Sequence, residues 1–377
     1  MQMIPFDAVR AWTFRAALPL WAEAGFDAAD GSFFETLTLD GTPTGDRRLR
    51  TRTLCRQIYV YAHAQTLGWE RGEAVSAAGA QYLLRCAALE GGGWAKALGE
   101  GGVVLDPTLD LYDMAFVLFA LGWRYRAAKE PEILAAAHAT LDFIEARMSD
   151  AEGAGYWHVW PPQGHRQQNP HMHLLEASLA TFEASGDQRF LDQADTIVEL
   201  FKRRFFDGET LAEFFTRDWG RAEGEAGRLV EPGHQFEWAW ILAQYQRLSG
   251  KDVTREAEAL VGFAEKFGVD QQSQVTFQQI RDDGAPLDRG SRAWPNTERI
   301  KGWLGLYELT GADPRAAAAG STRLLLDRYF ADCAPGAWID HFDAEGRPIS
   351  KTAPASTFYH VFLAFAELLR LEPRLSA

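Results

Sequence analysis

The stretch "EPGHQFEWAWILAQYQRLSGKD" (residues 231–252) contains one helix together with both of its ends. A proline and a glycine stand where the helix begins, and apolar residues then recur every three or four positions. Gly250 in "LSGKD" provides the C-cap at which the helix stops, and the next helical pattern follows directly. The stretch therefore predicts a helix over about residues 233–249 that turns tightly into a second, antiparallel helix.

The same arrangement repeats along the chain. Similar glycine stops occur in "TLGWE" (66–70), "ASGDQ" (184–188) and "LTGAD" (309–313), and alternate helices begin about every sixty residues. Such a period is typical of stacked supersecondary units. The predicted helices cover residues 6–25, 47–67, 71–89, 110–127, 131–148, 170–185, 188–204, 233–249, 253–266, 291–310, 313–329 and 355–371.

The other connections are long, and several combine short β-type runs with Asp-Gly or Glu-Gly turns, as in 101–113 and 275–290. Six helical hairpins with short turns on one side and long, hairpin-bearing loops on the other predict an all-α protein, an (α/α)6 barrel. Closing the ring removes the open ends that a solenoid must cap, and an open solenoid is the structural alternative. Since no Pro/Ser-rich linker interrupts the series, we expect one catalytic domain over residues 1–377.

Charge and composition exclude several classes of function. The formal net charge of −14 makes a nucleic-acid or anionic-membrane partner improbable, because both require a basic surface. No apolar run is long enough to span a bilayer, and the first residues do not resemble a signal peptide. Three cysteines without metal-type spacing, Cys55, Cys86 and Cys333, are typical of reduced thiols. We therefore expect a cytoplasmic protein, as a monomer or a homodimer.

Unusual polar residues cluster where the alternate, inner helices begin. Because an inner helix of such a barrel is buried all round, each polar side chain either faces the central cavity or is buried at a cost in free energy. Four clusters at one level of the ring predict a pocket. They are "NPHMHLLEA" (169–177), "GHQFEWAWIL" (233–242), "RAWPNTERIKGWL" (292–304) and "PASTFYHVFLAF" (354–365).

Two of these clusters contain the sequence His-x-x-Glu. His234 and Glu237 share a helix face, so the carboxylate is predicted to orient the imidazole, although a histidine bonded to its own turn is equally compatible. His171 and His173 point to different faces, which predicts that one lines the cavity while the other packs. Glu176 follows His173 by three residues. Neither cluster has the spacing of a known metal site, so we expect no metal and no other cofactor.

Three further residues stand out in apolar surroundings. Arg56 is predicted to point into the cavity, where its guanidinium can hold oxygens, or to form a salt bridge with Glu237 or Glu298. Glu298 could also simply stabilise the start of its helix. A histidine in a run as apolar as that around His360 is usually a core residue, but its position in the ring favours the pocket. Histidines near neutrality suit proton transfer beside a carbonyl.

These motifs resemble the N-acylglucosamine 2-epimerase family, which includes mannose isomerases and cellobiose 2-epimerases. The resemblance covers nearly the whole chain and is carried by "RQIYVYAHA" (56–64), "NPHMHLLEA", "GHQFEWAWIL", "WPNTERIKGWL" (294–304) and "ASTFYH" (355–360). It implies the same barrel fold, with His234, His360 and Glu237 in catalysis. It also implies that Arg56 binds the oxygens near C1 and C2 of a sugar. The remaining candidates for substrate binding are His173, Glu298, Trp294, Asn169 and Glu176.

The resemblance implies a monosaccharide substrate, and the first hypothesis is interconversion of D-mannose and D-fructose through a cis-enediol after ring opening. A 2-epimerase of N-acylglucosamine or another sugar is the second. No dedicated cluster of lysines and arginines is evident for a phosphate, but "RRLR" (47–50) could serve one, which keeps mannose 6-phosphate as a substrate. An inverting glycoside hydrolase that uses Glu237 and Glu298, or a non-catalytic sugar-binding protein, would be a different class.

Overall fold

The computed structural model describes residues 3–150 and 155–376, and twelve helices account for most of this part of the chain. All twelve predicted helices are confirmed, with most ends within about two residues. The first inner helix is the largest deviation, because residues 49–50 form a strand and the helix begins only at Thr51. In chain order the helices are α1 (6–23), α2 (Thr51–Thr66), α3 (72–87), α4 (Leu111–Ala128), α5 (131–148), α6 (Asn169–Ser185), α7 (188–205), α8 (Pro232–Ser249), α9 (Thr254–Phe267), α10 (Ala293–Thr310), α11 (315–329) and α12 (Ala355–Leu375).

Five outer helices contain a π-helical stretch. In α3, α5, α7 and α11 it forms the C-terminal end, where the chain turns into a loop, and in α1 it lies in the middle. Two short helical turns, Glu100–Gly102 and Glu225–Arg228, lie in the loops. The π-helical stretches are Trp12–Ala17, Leu83–Ala87, Ile144–Met148, Phe201–Phe205 and Leu325–Tyr329.

The even-numbered helices form a closed inner ring. Each packs against the next, and α12 packs against α2, so the molecule is an (α/α)6 barrel and the open solenoid is wrong. Five outer helices follow their inner partners directly in the chain. The sixth pair is not a hairpin of consecutive helices. It forms between the first helix, α1, and the last helix, α12.

Glycines set the tight turns and the close approach of the inner helices. Gly186, Gly250 and Gly311 follow α6, α8 and α10 with φ of 74°, 73° and 81°, the left-handed conformation that a C-cap requires. Within α10, a Cβ on Gly302 would lie 2.9 Å from the ring of Phe236, so a side chain there would push α8 and α10 apart.

Short strands join the loops at the N-terminal ends of the inner helices. Three pairs are local hairpins, namely β1–β2, β5–β6 and β12–β13. In the other six ladders, the strand just before an inner helix pairs with a strand of a neighbouring loop, so the loops are tied together around the ring. The strands are Phe26–Asp27 (β1), Ser32–Phe33 (β2), Thr36–Thr38 (β3), Leu49–Arg50 (β4), Ala97–Leu98 (β5), Val104–Asp106 (β6), Leu109–Asp110 (β7), Val159–Trp160 (β8), Arg166–Gln167 (β9), Phe214–Phe215 (β10), Leu229–Val230 (β11), Gln279–Arg281 (β12), Pro286–Asp288 (β13), Ser291–Arg292 (β14), His341–Phe342 (β15) and Thr352–Pro354 (β16).

Across residues 3–150 and 155–376, none of the helices combines the length and the apolar character that crossing a membrane would need. The single-domain organisation over residues 1–377 stays a prediction.

Candidate active site

A cavity of about 630 Å³ lies where the inner helices begin, on the side of the barrel that carries the long loops. Most of its wall is polar, with polar or titratable groups from all six inner helices or from the strands and loops that precede them. The candidates that line it are Arg56, Asn169, His173, His234, Glu237, Trp294 and His360. Two other candidates, Glu176 and Glu298, are buried and do not line it.

The lining residues occupy two levels. His234 and Trp294 belong to the first turns of α8 and α10 and form the upper level. Arg56, Glu237 and His360 lie one turn further along their helices and form the floor. His234 and Glu237 therefore share a face of α8 but stand at different depths, because three residues advance a helix by about 4.5 Å.

His234 is held by carboxylates from outside its own cluster. Its Nδ1 lies 2.9 Å from Oε2 of Glu213 and 3.5 Å from Oε2 of Glu231. Gln168 donates a hydrogen bond of 2.8 Å to the same Glu213 carboxylate. Burial opposes the charged imidazolium, but Glu213 and Glu231 raise the pKa of His234 to about 10. The predicted orientation of His234 by Glu237 is therefore wrong, since Glu213 occupies Nδ1.

His360 shares the geometry of His234 but has a different electrostatic environment. Its Nδ1 lies 2.7 Å from Oε1 of Glu298, so Nε2 is the nitrogen left for the cavity. The other oxygen of Glu298 forms an ion pair of 2.7 Å with Lys301. Burial, together with the nearby cations Arg56 and Lys301, lowers the pKa of His360 well below its ordinary value. His360 is thus a neutral imidazole at pH 7.

Lys301 is the buried cation beneath the floor of the cavity. Its ammonium is fully buried, 3.8 Å from Oε1 of Glu237, and lies over the ring of Trp240 at 4.6 Å. Burial disfavours the charge, but Glu298 and Glu237 raise the pKa of Lys301 above its ordinary value. The ammonium therefore balances two carboxylates that would otherwise be buried as unpaired anions.

Arg56 faces the cavity without an ion-pair partner in the described part of the chain. Its guanidinium donates to the hydroxyl of Tyr112 at 2.7 Å and to the carbonyl of Ser356 at 3.0 Å. It also lies over the ring of Phe116, 4.2 Å from the centroid. The alternative of a structural salt bridge with Glu237 or Glu298 is therefore wrong, and the guanidinium is fixed in place by neutral groups.

His173 lines the cavity, and Glu176 supports it from behind. Nδ1 of His173 lies 3.3 Å from Oε2 of Glu176, which also accepts a 2.5 Å hydrogen bond from Tyr359. Burial lowers the pKa of His173 although Glu237 and Glu176 oppose the shift. His171 is fully buried, where it accepts from the amide of Tyr156.

Two of the residues proposed to bind substrate are placed elsewhere by the structure. Glu298 is buried behind His360, and Glu176 lines a second cavity of about 400 Å³ at the opposite end of the barrel. Neither carboxylate lines the first cavity, and each is directed at Nδ1 of a histidine that does, Glu176 at His173 and Glu298 at His360. Binding of substrate by Glu176 and Glu298 stays a prediction, and the contacts of both carboxylates favour orienting the two histidines.

Trp294 is the indole ring of the cavity among the described residues. Its ring contacts those of both His234 and His360, with centroids 5.1 and 5.5 Å apart. A Cβ on Gly233 would lie 2.5 Å from the Trp294 ring, which explains why a glycine precedes His234. Trp238 is turned outward onto Phe201, and Trp240 faces the second cavity.

A group of cations was missed in the sequence. Arg50, Arg52 and Lys96 line one wall of the cavity, together with His158. The expectation that the pocket lacks a dedicated group of lysines and arginines is therefore wrong. The separation of Lys96 from Arg50 along the chain hid the group, because it depends on the pairing of β4 with β5.

Two sets of buried side chains could approach a metal ion. In each set, His173 with Glu176 and Glu237, and Glu237 with Glu298 and His360, one ligand atom per residue lies within 4.8 Å of the others. Nδ1 of each histidine, however, is already directed at a carboxylate, and Lys301 supplies the positive charge between Glu237 and Glu298. The negative charge of Glu237 and Glu298 is thus offset by the ammonium of Lys301. That the protein needs no metal stays a prediction.

Comparisons with known proteins agree on the family. The profile of the N-acylglucosamine 2-epimerase (GlcNAc 2-epimerase) family matches residues 32–364. The chain is 36% identical to a mannose-6-phosphate isomerase of Rhizobium meliloti (strain 1021), over 95% of each chain. It is 28% identical to a D-mannose isomerase of Thermobifida fusca, over 97% of this chain and 98% of the relative. A crystal structure of a D-mannose isomerase superposes with a TM-score of 0.87 at 22% identity, covering 97% of both chains.

Proposed function

The chain belongs to the N-acylglucosamine 2-epimerase family, and we propose that it is an isomerase that interconverts an aldose and a ketose, with D-mannose and D-fructose as the first pair. The observation that carries the proposal is the different protonation of two histidines that contact the same indole ring, that of Trp294. Neutral His360 can accept a proton, while cationic His234 can donate one. Two relatives that are named D-mannose isomerase support this choice of substrate.

Ring opening comes first and needs an acid and a base. His234, as an imidazolium oriented by Glu213, can protonate the ring oxygen of a bound pyranose. Glu237 also lines the cavity and is available to accept the proton of the anomeric hydroxyl. Trp294 offers a flat face on which the C–H face of the sugar can rest between the two histidines.

Isomerisation then moves one proton between neighbouring carbons. Nε2 of His360 takes the proton from C2 of the open-chain aldose, the C1 oxygen regains from Glu237 the proton that it gave up on ring opening, and a cis-enediol forms. Returning the proton from His360 to C1, with transfer of the C2 hydroxyl proton to Glu237, gives the ketose. Arg56 is placed to hold the C1 and C2 oxygens, and its rigid fork of donors suits two adjacent oxygens.

A 2-epimerase is the second candidate within the family. Epimerisation requires a second base on the opposite face of C2. The high pKa of His234 makes this histidine a poor base at neutral pH, which favours isomerisation. An inverting hydrolase would need carboxylates about 6.5–9.5 Å apart across the sugar. One oxygen each of Glu237 and Glu298 lie within 4.8 Å, and Glu298 does not line the cavity, so this pair does not support hydrolysis.

A time course by NMR in D2O tests the proposal, with mannose and mannose 6-phosphate supplied separately. We expect a fructose product that carries deuterium on C1, to the extent that His360 exchanges its proton with solvent. Mannose converted to glucose with deuterium on C2, and no fructose, would instead establish an epimerase. Release of reducing ends from cellobiose or maltose would establish a hydrolase.

Two further expectations accompany this function. The three cysteines, Cys55, Cys86 and Cys333, are unpaired, which supports a reducing, cytoplasmic location. We expect a monomer or a homodimer, each with complete sites, which light scattering of the active protein would distinguish.

A further inference from the structure

We propose that Arg50, Arg52, Lys96 and His158 form a phosphate subsite, so that the sugar processed in this cavity carries a phosphoryl group on its last carbon. The inference rests on the proposed isomerase function and replaces mannose with mannose 6-phosphate as its preferred substrate. It is carried by the position of the four side chains, by their unused hydrogen-bond donors and by the distance of Arg52 from Arg56.

The three cations are brought together by a β ladder and a helix start. Arg50 ends β4 and is paired with Ala97 of β5, next to Lys96. The amide of Thr51 donates to the carbonyl of Lys96 at 3.0 Å, which fixes the two segments side by side where α2 begins. Arg52 lies in the first turn of α2. All three side chains line the cavity and keep 22–34% of their surface exposed.

Each cation is oriented by one carboxylate and retains free donors. Arg52 contacts Asp113 at 3.5 Å through Nη1, and its Nε and Nη2 make no hydrogen bond to any residue that the structure describes. Lys96 contacts Asp110 at 2.8 Å, which leaves two of its three N–H groups. Arg50 is held by Glu35 through Nε and Nη2. Guanidinium groups fixed in this way bind phosphate bidentately.

The charge of this wall is more positive than a count of side chains suggests. Burial raises the pKa of the Asp113 carboxyl to about 7 against the opposing effect of Arg52, so burial weakens the negative charge that faces this guanidinium. Arg52 is then only partly balanced. His158 lines the same wall beside Lys96 and Asp110, with its Nδ1 buried away from the cavity. A phosphate can satisfy the free donors of Arg52 and Lys96 together.

The depth of the cavity sets which part of a sugar meets these donors. Arg52 and Arg56 are four residues apart on α2, so they share a face and differ in height by about 6 Å. Arg56 is at the level of His360, where C1 and C2 react. Arg52 lies one turn nearer the loops, at a distance that an oxygen on C6 of an open-chain hexose can reach. The opposite wall carries Glu213 and Glu231, which would repel an anionic group and so fix the direction of the sugar.

The test compares kcat/KM for mannose 6-phosphate with kcat/KM for mannose, and includes mannuronate as a sugar with an anion of different shape. We expect the wild type to prefer mannose 6-phosphate by on the order of 100-fold, because several charge-assisted hydrogen bonds are made. In Arg52→Gln this ratio should fall about 10–100-fold, and Lys96→Gln should change it in the same direction. A purely structural role for Arg52 would lower both values equally and leave the ratio unchanged.

Arg48→Gln is the matched control, since Arg48 is exposed, belongs to the same "RRLR" segment and does not line the cavity. This variant should keep the wild-type ratio of kcat/KM for mannose 6-phosphate to kcat/KM for mannose. A wild type that prefers mannose, or that prefers mannuronate to mannose 6-phosphate, would overturn the phosphate subsite while leaving the isomerase intact.

Calorimetry on the full-length His360→Asn variant separates this inference from the proposed function. The variant should bind mannose 6-phosphate at least tenfold more tightly than mannose, without turnover. Tight binding of the phosphorylated sugar by a wild type that isomerises neither sugar would support the subsite and reject the isomerase. Equal binding of the two sugars would reject the subsite.

Discussion

His234 and His360 lie on two inner helices, about one turn apart in depth, and differ mainly in what lies behind their carboxylates. Both direct Nδ1 at a glutamate, both line the cavity, and both contact Trp294. His234 faces Glu213 and Glu231, and its pKa rises to about 10. The partner of His360, Glu298, forms an ion pair with Lys301, while burial and the neighbouring Glu237 raise the pKa of Glu298. Burial, together with Arg56 and Lys301, lowers the pKa of His360.

The comparison teaches that a His–Glu pair does not by itself define an acid or a base. Burial disfavours the imidazolium equally at both places, so the sign of the pKa shift depends on the remaining charges. At His234, two carboxylates raise the pKa, so the imidazole is an acid at neutral pH. At His360, the nearby cations Lys301 and Arg56 lower the pKa, so the imidazole is a base. Two groups whose environments separate their pKa values in this way can divide acid and base roles.

Removing the base should have the largest effect. In His360→Asn we expect kcat for aldose–ketose conversion to fall about 10²–10⁴-fold, the usual contribution of general acid–base catalysis. The side chain of asparagine can keep a hydrogen bond to Glu298, so the fold and sugar binding should persist. Steady-state kinetics and thermal unfolding check both statements, with His165→Asn as the control because His165 is exposed and outside the cavity. Substantial residual turnover would assign the base elsewhere.

Removing Lys301, the cation behind Glu298, should raise the pKa of His360 towards that of His234. In Lys301→Met the carboxylates of Glu298 and Glu237 lose their neutralising charge, so the pKa of His360 rises and the acid limb of the pH–rate profile moves to higher pH. A shift of one pH unit corresponds to an activity loss on the order of tenfold on that limb. We also expect a lower melting temperature, because breaking a buried ion pair costs about 3–5 kcal/mol.

Lys251→Met serves as the control for this variant, since Lys251 forms an exposed ion pair with Asp195. An unchanged acid limb in a folded Lys301→Met protein would show that Lys301 does not set the charge of His360.

Removing one of the two carboxylates that face His234 should lower kcat/KM only at alkaline pH. Glu213 is a major cause of the raised pKa of about 10, so Glu213→Gln should let His234 lose its proton at lower pH. The alkaline limb of kcat/KM is then expected to move down by about one unit, with an activity loss of about twofold at pH 9 that approaches roughly tenfold above pH 10, and little change at pH 7. Glu209→Gln, an exposed position of the same loop, should keep the wild-type profile. A uniform loss at every pH would indicate a structural role for Glu213.

Displacing the Trp294 ring, which contacts both histidines, should have the smallest effect on activity. In Gly233→Ala the new Cβ would lie 2.5 Å from Cη2 and Cζ3 of Trp294 and displace the indole. Overpacking of this kind costs about 1–3 kcal/mol, and we expect kcat/KM to fall by roughly threefold to tenfold. Gly262→Ala is the matched control, because nothing lies within 4 Å of a Cβ there. Equal behaviour of the two variants would show that the position of Trp294 is not critical.

The fold could be predicted closely because its determinants are local. Apolar periodicity marks each helix, and Gly186, Gly250 and Gly311 mark where three inner helices end. The six ladders between neighbouring loops could not be predicted, since strands of two or three residues carry little periodicity. Five of the ladders join strands about fifty residues apart, and β3 with β16 joins strands from near the two ends of the described chain. The pairing of α1 with α12 also depends only on contacts between the two ends of the chain.

The site could be predicted in part for the same reason. Polar residues such as His234 and His360 stand out in apolar inner helices. Glu213 lies in a loop without a recognisable pattern, so the partner of His234 was assigned to Glu237. Lys301 has the ordinary appearance of a charged helix residue, and only the three-dimensional structure shows that its ammonium is fully buried between two carboxylates.

The most direct test of the central claim is a pH titration of the imidazoles by 15N NMR on histidine-labelled protein. The chain has nine histidines, and His234→Asn and His360→Asn variants assign the two resonances. We predict that His234 remains an imidazolium up to about pH 10, while His360 stays neutral throughout the range from pH 6.5 upward. Two imidazoles that titrate together near the ordinary value of about 6.5, or in the reverse order, would contradict the division into acid and base.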